Sequence, residues 1–287
     1  MTDLTRRQLL SIPLVVGGLE AVLGKELYAA PKSIKKRTIT FEQAKNDPSL
    51  TARYISELLV EMFDEDEVRK YISAVKFFGG REAFFQQYPV ETETDKEIAK
   101  QSGIIIAYDA SRFANKVKSD IIVFPDIFKS RQVKIADKII PIEITEDMIK
   151  AFLEHEFEHA KDNYLGIRLT NGAEINQNNR GRIYPEVYRF VYEARGYVKA
   201  LTSIIRAEKA KPNDLFLGKI DETKQGYFWT IRDFATTVFQ RAYQKINPRL
   251  LSPEESKLMT GQLDEIKAKF PELLIINQIR ELYQRFK

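Results

Sequence analysis

The 287-residue chain has no cysteine, which excludes disulfide bonds, thiol catalysis and cysteine metal ligands. It also lacks a phosphate-binding glycine-rich loop and any nucleic-acid-binding motif. The 45 basic and 41 acidic residues leave a formal net charge of only +4, which gives no case for a nucleic-acid partner. Histidine occurs twice in the whole chain. Those two residues are therefore the first place to look for metal or acid–base chemistry.

The remaining composition is that of a globular protein. A hydrophobic content of 44% and an aromatic content of 11% are enough for a sizeable core. Local patterns predict a helical N-terminal lobe over residues 31–102, a β-rich stretch and two helices over 103–210, and a helical region over 211–287. We expect a helix-rich α+β fold, with residues 31–287 forming one compact domain.

Both histidines lie in one short stretch, His155-Glu156-Phe157-Glu158-His159, which reads H-E-x-x-H. On a helix, residues four apart stand on one face, so two imidazoles so placed can hold one zinc ion. The glutamate between them can reach a water molecule on that ion. The stretch therefore predicts a zinc site on a helix.

The surrounding helix favours this interpretation over an exposed polar helix. Thr145 can cap its start, and two acidic residues follow in the first turn. Glu156 and His159 continue an apolar stripe, and His155 flanks it. Burying such groups is costly unless they are paired or bind a metal. The other members of the stripe are Met148, Ile149, Phe152, Ala160 and Asn163.

The residue types determine the chemistry that such a site would perform. Zinc with three protein ligands keeps a fourth position for water, and the ion lowers the pKa of that water to about 7. Glu156 would then act as the general base. Two histidines are one ligand short, and a carboxylate is expected as the third because the chain has no cysteine or further histidine.

The candidate third ligand lies on a predicted helix over residues 185–207. Glu193 sits in its middle, among apolar positions. Glu186, seven residues earlier on nearly the same face, and Asp162, three residues after His159, are the alternatives. Glu193 could also be an ordinary carboxylate that is salt-bridged to a neighbouring arginine.

These two motifs resemble the zincin metallopeptidases, and within them the gluzincin-like arrangement of two His and one Glu. The run Glu193-Ala194-Arg195-Gly196-Tyr197 is similar to the Glu-centred second helix of many small bacterial members. The resemblance covers residues 103–210. It implies a small sheet, an active-site helix, a second Glu-bearing helix, zinc on His155, His159 and Glu193, and Glu156 as the base. The longer metzincin pattern and the Asn-Glu-x-x-Ser-Asp form of some gluzincins are absent.

The resemblance also implies an edge strand beside the site, where an extended peptide substrate can pair. Residues 103–108 and 120–124 are short β-branched runs, and either could be that strand. Tyr197, one turn after Glu193, and Tyr164 are candidates for stabilising the oxyanion, although ordinary packing is the alternative for each.

Residues 1–30 resemble an export signal. Thr5-Arg6-Arg7-Gln8-Leu9-Leu10 is similar to the twin-arginine type, an apolar run follows, and Tyr28-Ala29-Ala30 precedes a proline. The chain is therefore expected to be exported, to the bacterial periplasm, and to meet the membrane only during export. The alternative is an N-terminal helix packed on a cytoplasmic domain.

The sequence thus predicts a zinc peptidase that acts on polypeptide substrates. The alternatives are an inactive or purely metal-binding zincin-like interaction module, a metal-free helical binding protein, and a hydrolase of a non-protein amide such as that in peptidoglycan. The oligomeric state stays open.

Local signals give further predictions. Asp64 with Glu67 predicts the start of a helix over residues 68–78, and residues 133–142 predict a hairpin. Asn171-Gly172 predicts a tight turn, residues 176–179 a polar surface loop, and Ser252 a helix start. Helices are also predicted over residues 229–246 and from Pro271 onward.

Overall fold

A computed structural model describes residues 37–88, 104–107, 116–135, 138–210 and 250–269. The described chain is helix-rich with small sheets, so the coarse α+β prediction is confirmed. The export segment and the helices predicted over residues 229–246 and from Pro271 lie outside the described residues. Within those residues, no helix is both long and apolar enough to cross a membrane.

The described residues group into two compact units. The first comprises those of residues 37–131 together with 143–165. Its helices are α1 (Phe41–Asn46), α2 (Thr51–Met62), α3 (Glu65–Tyr71), α4 (Arg81–Gln87) and α5 (Glu146–Leu165), and its strands are β1 (Ile72–Phe77), β2 (Ile104–Ala107) and β3 (Ser119–Val123).

The three strands of the first unit form one sheet with β3 in the centre. β1 pairs with β3 in parallel and β2 pairs with it antiparallel. Ile121, Ile122 and Val123 of β3 are fully buried, and α5 contacts both β2 and β3. Both strands predicted from the β-branched runs are confirmed. Among the described strands, β3 is internal to this sheet, so of these two runs only β2 lies at an edge.

One predicted helix in the N-terminal lobe is partly wrong. Asp64 does cap α3, because its side chain accepts a hydrogen bond from the Asp66 N–H. The helix ends at Tyr71, however, and Ile72 begins β1. The pairing of β1 with β3 across more than forty residues overrides the local helical pattern. Residues 31–102 are therefore not wholly helical.

The second unit contains β5 (Lys138–Ile142) with all but the first residue of β4 (Arg131–Ile135), and the described residues from Gly166 onward. β4 and β5 form a two-stranded sheet, which confirms the predicted hairpin. The later elements are β6 (Ile167–Arg168), β7 (Glu174–Ile175), α6 (Pro185–Ala210) and α7 (Pro253–Lys269).

Helix α6 confirms the helix predicted over residues 185–207, and it contacts α7. The predicted start of α7 is a reciprocal cap. The Glu255 N–H donates to Ser252 Oγ at 3.2 Å, and the Ser252 N–H donates to a Glu255 carboxylate oxygen at 2.9 Å. The other oxygen of Glu255 accepts a 2.5 Å hydrogen bond from the Tyr184 N–H, next to the start of α6. One buried carboxylate thus fixes the N-terminal ends of both helices.

The predicted turn at Asn171-Gly172 joins β6 to β7. The Gly172 N–H donates to the Leu169 carbonyl at 2.9 Å, and the left-handed φ of 77° at this position suits glycine. The following polar loop is held by asparagine side chains. Asn179 accepts from the Asn176 N–H at 2.8 Å and donates to the Glu174 carbonyl at 2.8 Å.

Replacement of Gly166 by alanine is expected to lower the free energy of unfolding by about 1–3 kcal/mol. Gly166 follows α5 with a left-handed φ of 79°, and a Cβ there would lie 2.8 Å from the Ile175 carbonyl oxygen. Urea denaturation measures the effect. Gly172→Ala shares the positive φ, but its nearest neighbour would be the Lys257 Nζ at 3.9 Å, so it serves as the control for the clash. Equal losses in the two variants would contradict the clash.

Candidate metal centre

The H-E-x-x-H stretch lies in the middle of α5, a helix of 20 residues. Thr145 Oγ1 accepts a 3.4 Å hydrogen bond from the Met148 N–H, as the predicted cap requires. Glu146 and Asp147 occupy the first turn, where their negative charges interact favourably with the positive end of the helix dipole. The helix is therefore defined at its start by local signals and stops at Gly166.

All three invariant residues of the H-E-x-x-H pattern are buried. His155 is 8% exposed, Glu156 9% and His159 3%. The apolar stripe predicts burial for Glu156 and His159, whereas His155 lies only at its flank in the sequence pattern. Groups of this kind need polar partners or an ion when they are withdrawn from water.

The two imidazoles point at each other. The Nε2 atoms of His155 and His159 lie 2.9 Å apart, with the ring planes at 83°. Two Zn–N bonds of about 2.0–2.1 Å at a tetrahedral angle place their nitrogens about 3.3 Å apart. A small rotation of the rings would therefore admit an ion, and the same nitrogens would bind it. The two nitrogens, which lie within hydrogen-bond distance of each other, could therefore share a metal ion.

Glu193 of α6 completes a group of possible ligands. One ligand atom each of His155, His159 and Glu193 lies within 4.8 Å of the others. The alternative ligands Glu186 and Asp162, although both are described, do not belong to this group. Two imidazoles and one carboxylate are a donor set typical of catalytic zinc. The group could hold a metal ion, as the sequence predicts.

Of the two tyrosines predicted to stabilise the oxyanion, Tyr164 has a packing contact that explains it, whereas Tyr197 remains a candidate. Tyr197 is half-buried on α6, one turn after Glu193, and its role stays a prediction. The Tyr164 ring packs edge-to-face on Tyr71 with the ring centroids 5.3 Å apart. This contact is the ordinary packing that was the alternative for Tyr164.

The face of α5 opposite the histidines is also packed, which the sequence does not predict. Phe157, one of the two variable positions of the motif, is 1% exposed and stacks on Phe63 with ring centroids 4.0 Å apart. Glu146 pairs with Arg37, a residue 109 positions earlier. The helical spacing of Glu146, Lys150, Phe157 and Lys161 was the available signal.

No protein-family model, curated protein or solved structure matches this chain.

Proposed function

We propose that the protein is a zinc-dependent metallohydrolase that cleaves peptide bonds. The observation that carries this proposal is the convergence of two buried imidazole Nε2 atoms, 2.9 Å apart, in one group with the Glu193 carboxylate. The two imidazoles are buried and Glu193 is half-buried, and a shared metal ion would compensate for withdrawing these groups from water.

Glu156 is the proposed general base. It follows His155 directly on α5 and is buried, and on a helical projection it lies about 60° from His159. A bound zinc ion would act as a Lewis acid, which lowers the pKa of a bound water molecule to about 7 and polarises a substrate carbonyl. Glu156 accepts the proton of the attacking water and then delivers it to the leaving amine. Tyr197 is kept as the candidate for stabilising the oxyanion.

An extended polypeptide is the proposed substrate class. Among the described strands, β2 lies at an edge of its sheet, and α5 contacts it. An extended peptide can add to such an edge through backbone hydrogen bonds and so lie along the helix that carries the histidines. A substrate without a peptide backbone would gain nothing from this edge, which supports the peptidase over hydrolysis of other amides.

Export is proposed for the same chain on the basis of residues 1–30. The twin-arginine-like segment implies transport of a folded protein to the periplasm, which suits a protein without disulfide bonds.

The metal content of the purified protein tests the proposal. We expect about one zinc per chain by elemental mass spectrometry and almost none in His159→Ala, because one imidazole is lost from the group. No zinc in the wild type after zinc has been supplied would overturn the proposal and leave a metal-free helical binding protein. Zinc without hydrolysis of any peptide would instead support a metal-binding interaction module.

A further inference from the structure

Helix α5 has a second face of charged and aromatic side chains, which we call the back face. It consists of Glu146, Lys150, Phe157, Lys161 and Tyr164. At 3.6 residues per turn these positions fall within about 60° of one another around the helix axis. His155 lies about 180° from Glu146 on the same projection, and His159 about 220°. The back face therefore points away from the histidines.

The C-terminal half of the back face packs on α3 and on the residue after α2. Phe157 stacks on Phe63, and Tyr164 packs on Tyr71. Lys161 Nζ lies 4.9 Å from the centre of the Phe157 ring and 3.4 Å from a Glu67 carboxylate oxygen. These contacts hold the middle and the end of α5 within the first unit.

The N-terminal end of the back face is held by ion pairs. Arg37 donates two parallel hydrogen bonds of 2.8 Å to the Glu146 carboxylate and also pairs with Glu61 of α2. Lys150 Nζ lies 3.1 Å from Glu146 and 3.5 Å from Glu61. The Tyr54 hydroxyl donates to Glu146 at 3.2 Å. Two glutamates from two helices thus share the same two cations.

This cluster differs from an ordinary surface ion pair. The side chains of Arg37 and Glu146 are only 20% and 25% exposed, whereas Arg69, in its i,i+4 pair with Glu65, is 74% exposed. Burial tends to raise the pKa of Glu146, but hydrogen bonds from Arg37 and Lys150 outweigh it and lower the pKa to about 2. A bidentate Arg–carboxylate pair fixes geometry as well as charge.

We propose that Arg37 is a positioning residue for the candidate metal centre. It fixes the first turn of α5 against α2, and so sets the axial position and the rotation of the helix that carries His155 and His159. Metal–ligand distances must be correct to within about 0.2 Å, so a small slide or turn of α5 displaces both imidazoles together. This inference rests on the proposed zinc site, but it can be tested without metal.

The first test is zinc affinity, measured by competition with a chelator. Arg37→Gln is expected to raise the zinc dissociation constant roughly three- to tenfold, since coupling through packed helices is of this size. Arg69→Gln removes the same charge and an ion pair that does not reach α5, and it should leave the affinity unchanged. Arg37→Lys keeps the charge but cannot form the two parallel hydrogen bonds of the guanidinium group, so its zinc affinity should lie between those of Arg37→Gln and the wild type.

The second test is the ¹⁵N spectrum of the imidazoles in the metal-free, untagged protein. Because the chain has two histidines, only His155 and His159 contribute. Arg37→Gln should shift the signals of both rings, and Arg69→Gln should shift neither. If Arg37→Gln does not fold, Arg37→Lys takes its place in both tests with smaller shifts.

Unchanged imidazole signals, or unchanged zinc affinity, would overturn the positioning role even if Arg37→Gln lowered stability. Arg37 would then be an ordinary stabilising residue. A wild type that binds no zinc would instead overturn the proposed function, and the imidazole spectrum would still report whether Arg37 positions the two rings. The two failures are therefore distinguishable.

Discussion

Replacement of Glu156 by glutamine is expected to leave zinc bound and to lower peptide turnover about 100- to 10,000-fold. The amide has the size and shape of the carboxylate but accepts no proton at neutral pH. Glu156 is buried in the helix turn between the two histidines, so little else should change when its charge is removed. The measurement is kcat/KM on a mixture of fluorogenic peptides, with zinc content determined on the same samples.

Glu158→Gln is the matched control for that experiment. Glu158 is also a buried glutamate of α5, 9% exposed, and it lies outside the group of possible ligands. The same chemical change two residues further on should leave turnover within a few-fold of the wild type. Full activity in Glu156→Gln would exclude it as the base, and equal losses in both variants would point to a general effect of burying an amide.

Replacement of Glu193 by glutamine is expected to weaken zinc binding at least about 100-fold. Loss of a residue that only supports a ligand costs roughly 10- to 100-fold in metal affinity, so loss of a charged ligand should reach or exceed that range. Chelator competition with the metal-free protein gives the dissociation constant. Circular dichroism of each variant checks that the overall helix content is unchanged.

Glu186→Gln is the matched control, and it also tests an alternative ligand. Glu186 lies on α6, seven residues before Glu193, and is half-buried like Glu193. Its replacement should leave zinc affinity unchanged. Loss of zinc in Glu186→Gln together with normal affinity in Glu193→Gln would transfer the ligand role to Glu186. Asp162→Asn covers the remaining alternative in the same assay.

The candidate site could largely be predicted from the sequence because its signals are local. Two histidines four residues apart on an amphipathic helix are neighbours whatever the rest of the chain does. Thr145 and Gly166 delimit that helix by capping and by backbone conformation. For the third ligand, local pattern favours Glu193 but leaves Glu186 and Asp162 open, because spacing along the chain does not show which carboxylate belongs to the ligand group.

The parts that could not be predicted depend on long-range contacts. Residues 72–77 follow a well-capped helix and continue its pattern, yet they form β1 because β3 offers a parallel partner. The pairing of Arg37 with Glu146 spans 109 positions, and the local sequence around neither residue indicates it. The turn between β6 and β7 could be predicted, because Asn171 and Gly172 are a local turn signal, whereas the two short strands that it joins were not predicted.

The burial of Phe157 affects how a mutational scan of the five-residue stretch would be read. A position usually regarded as variable is here part of the hydrophobic core, since Phe157 contacts Phe63, Tyr71 and the Lys161 ammonium group. Truncation of a buried phenylalanine typically removes about 3–5 kcal/mol of stability, enough to abolish activity with the chemical groups intact. Sensitivity to substitution in this stretch therefore has two unrelated origins. At Glu156 it reflects loss of the proposed catalytic base, and at Phe157 it reflects loss of packing in the hydrophobic core.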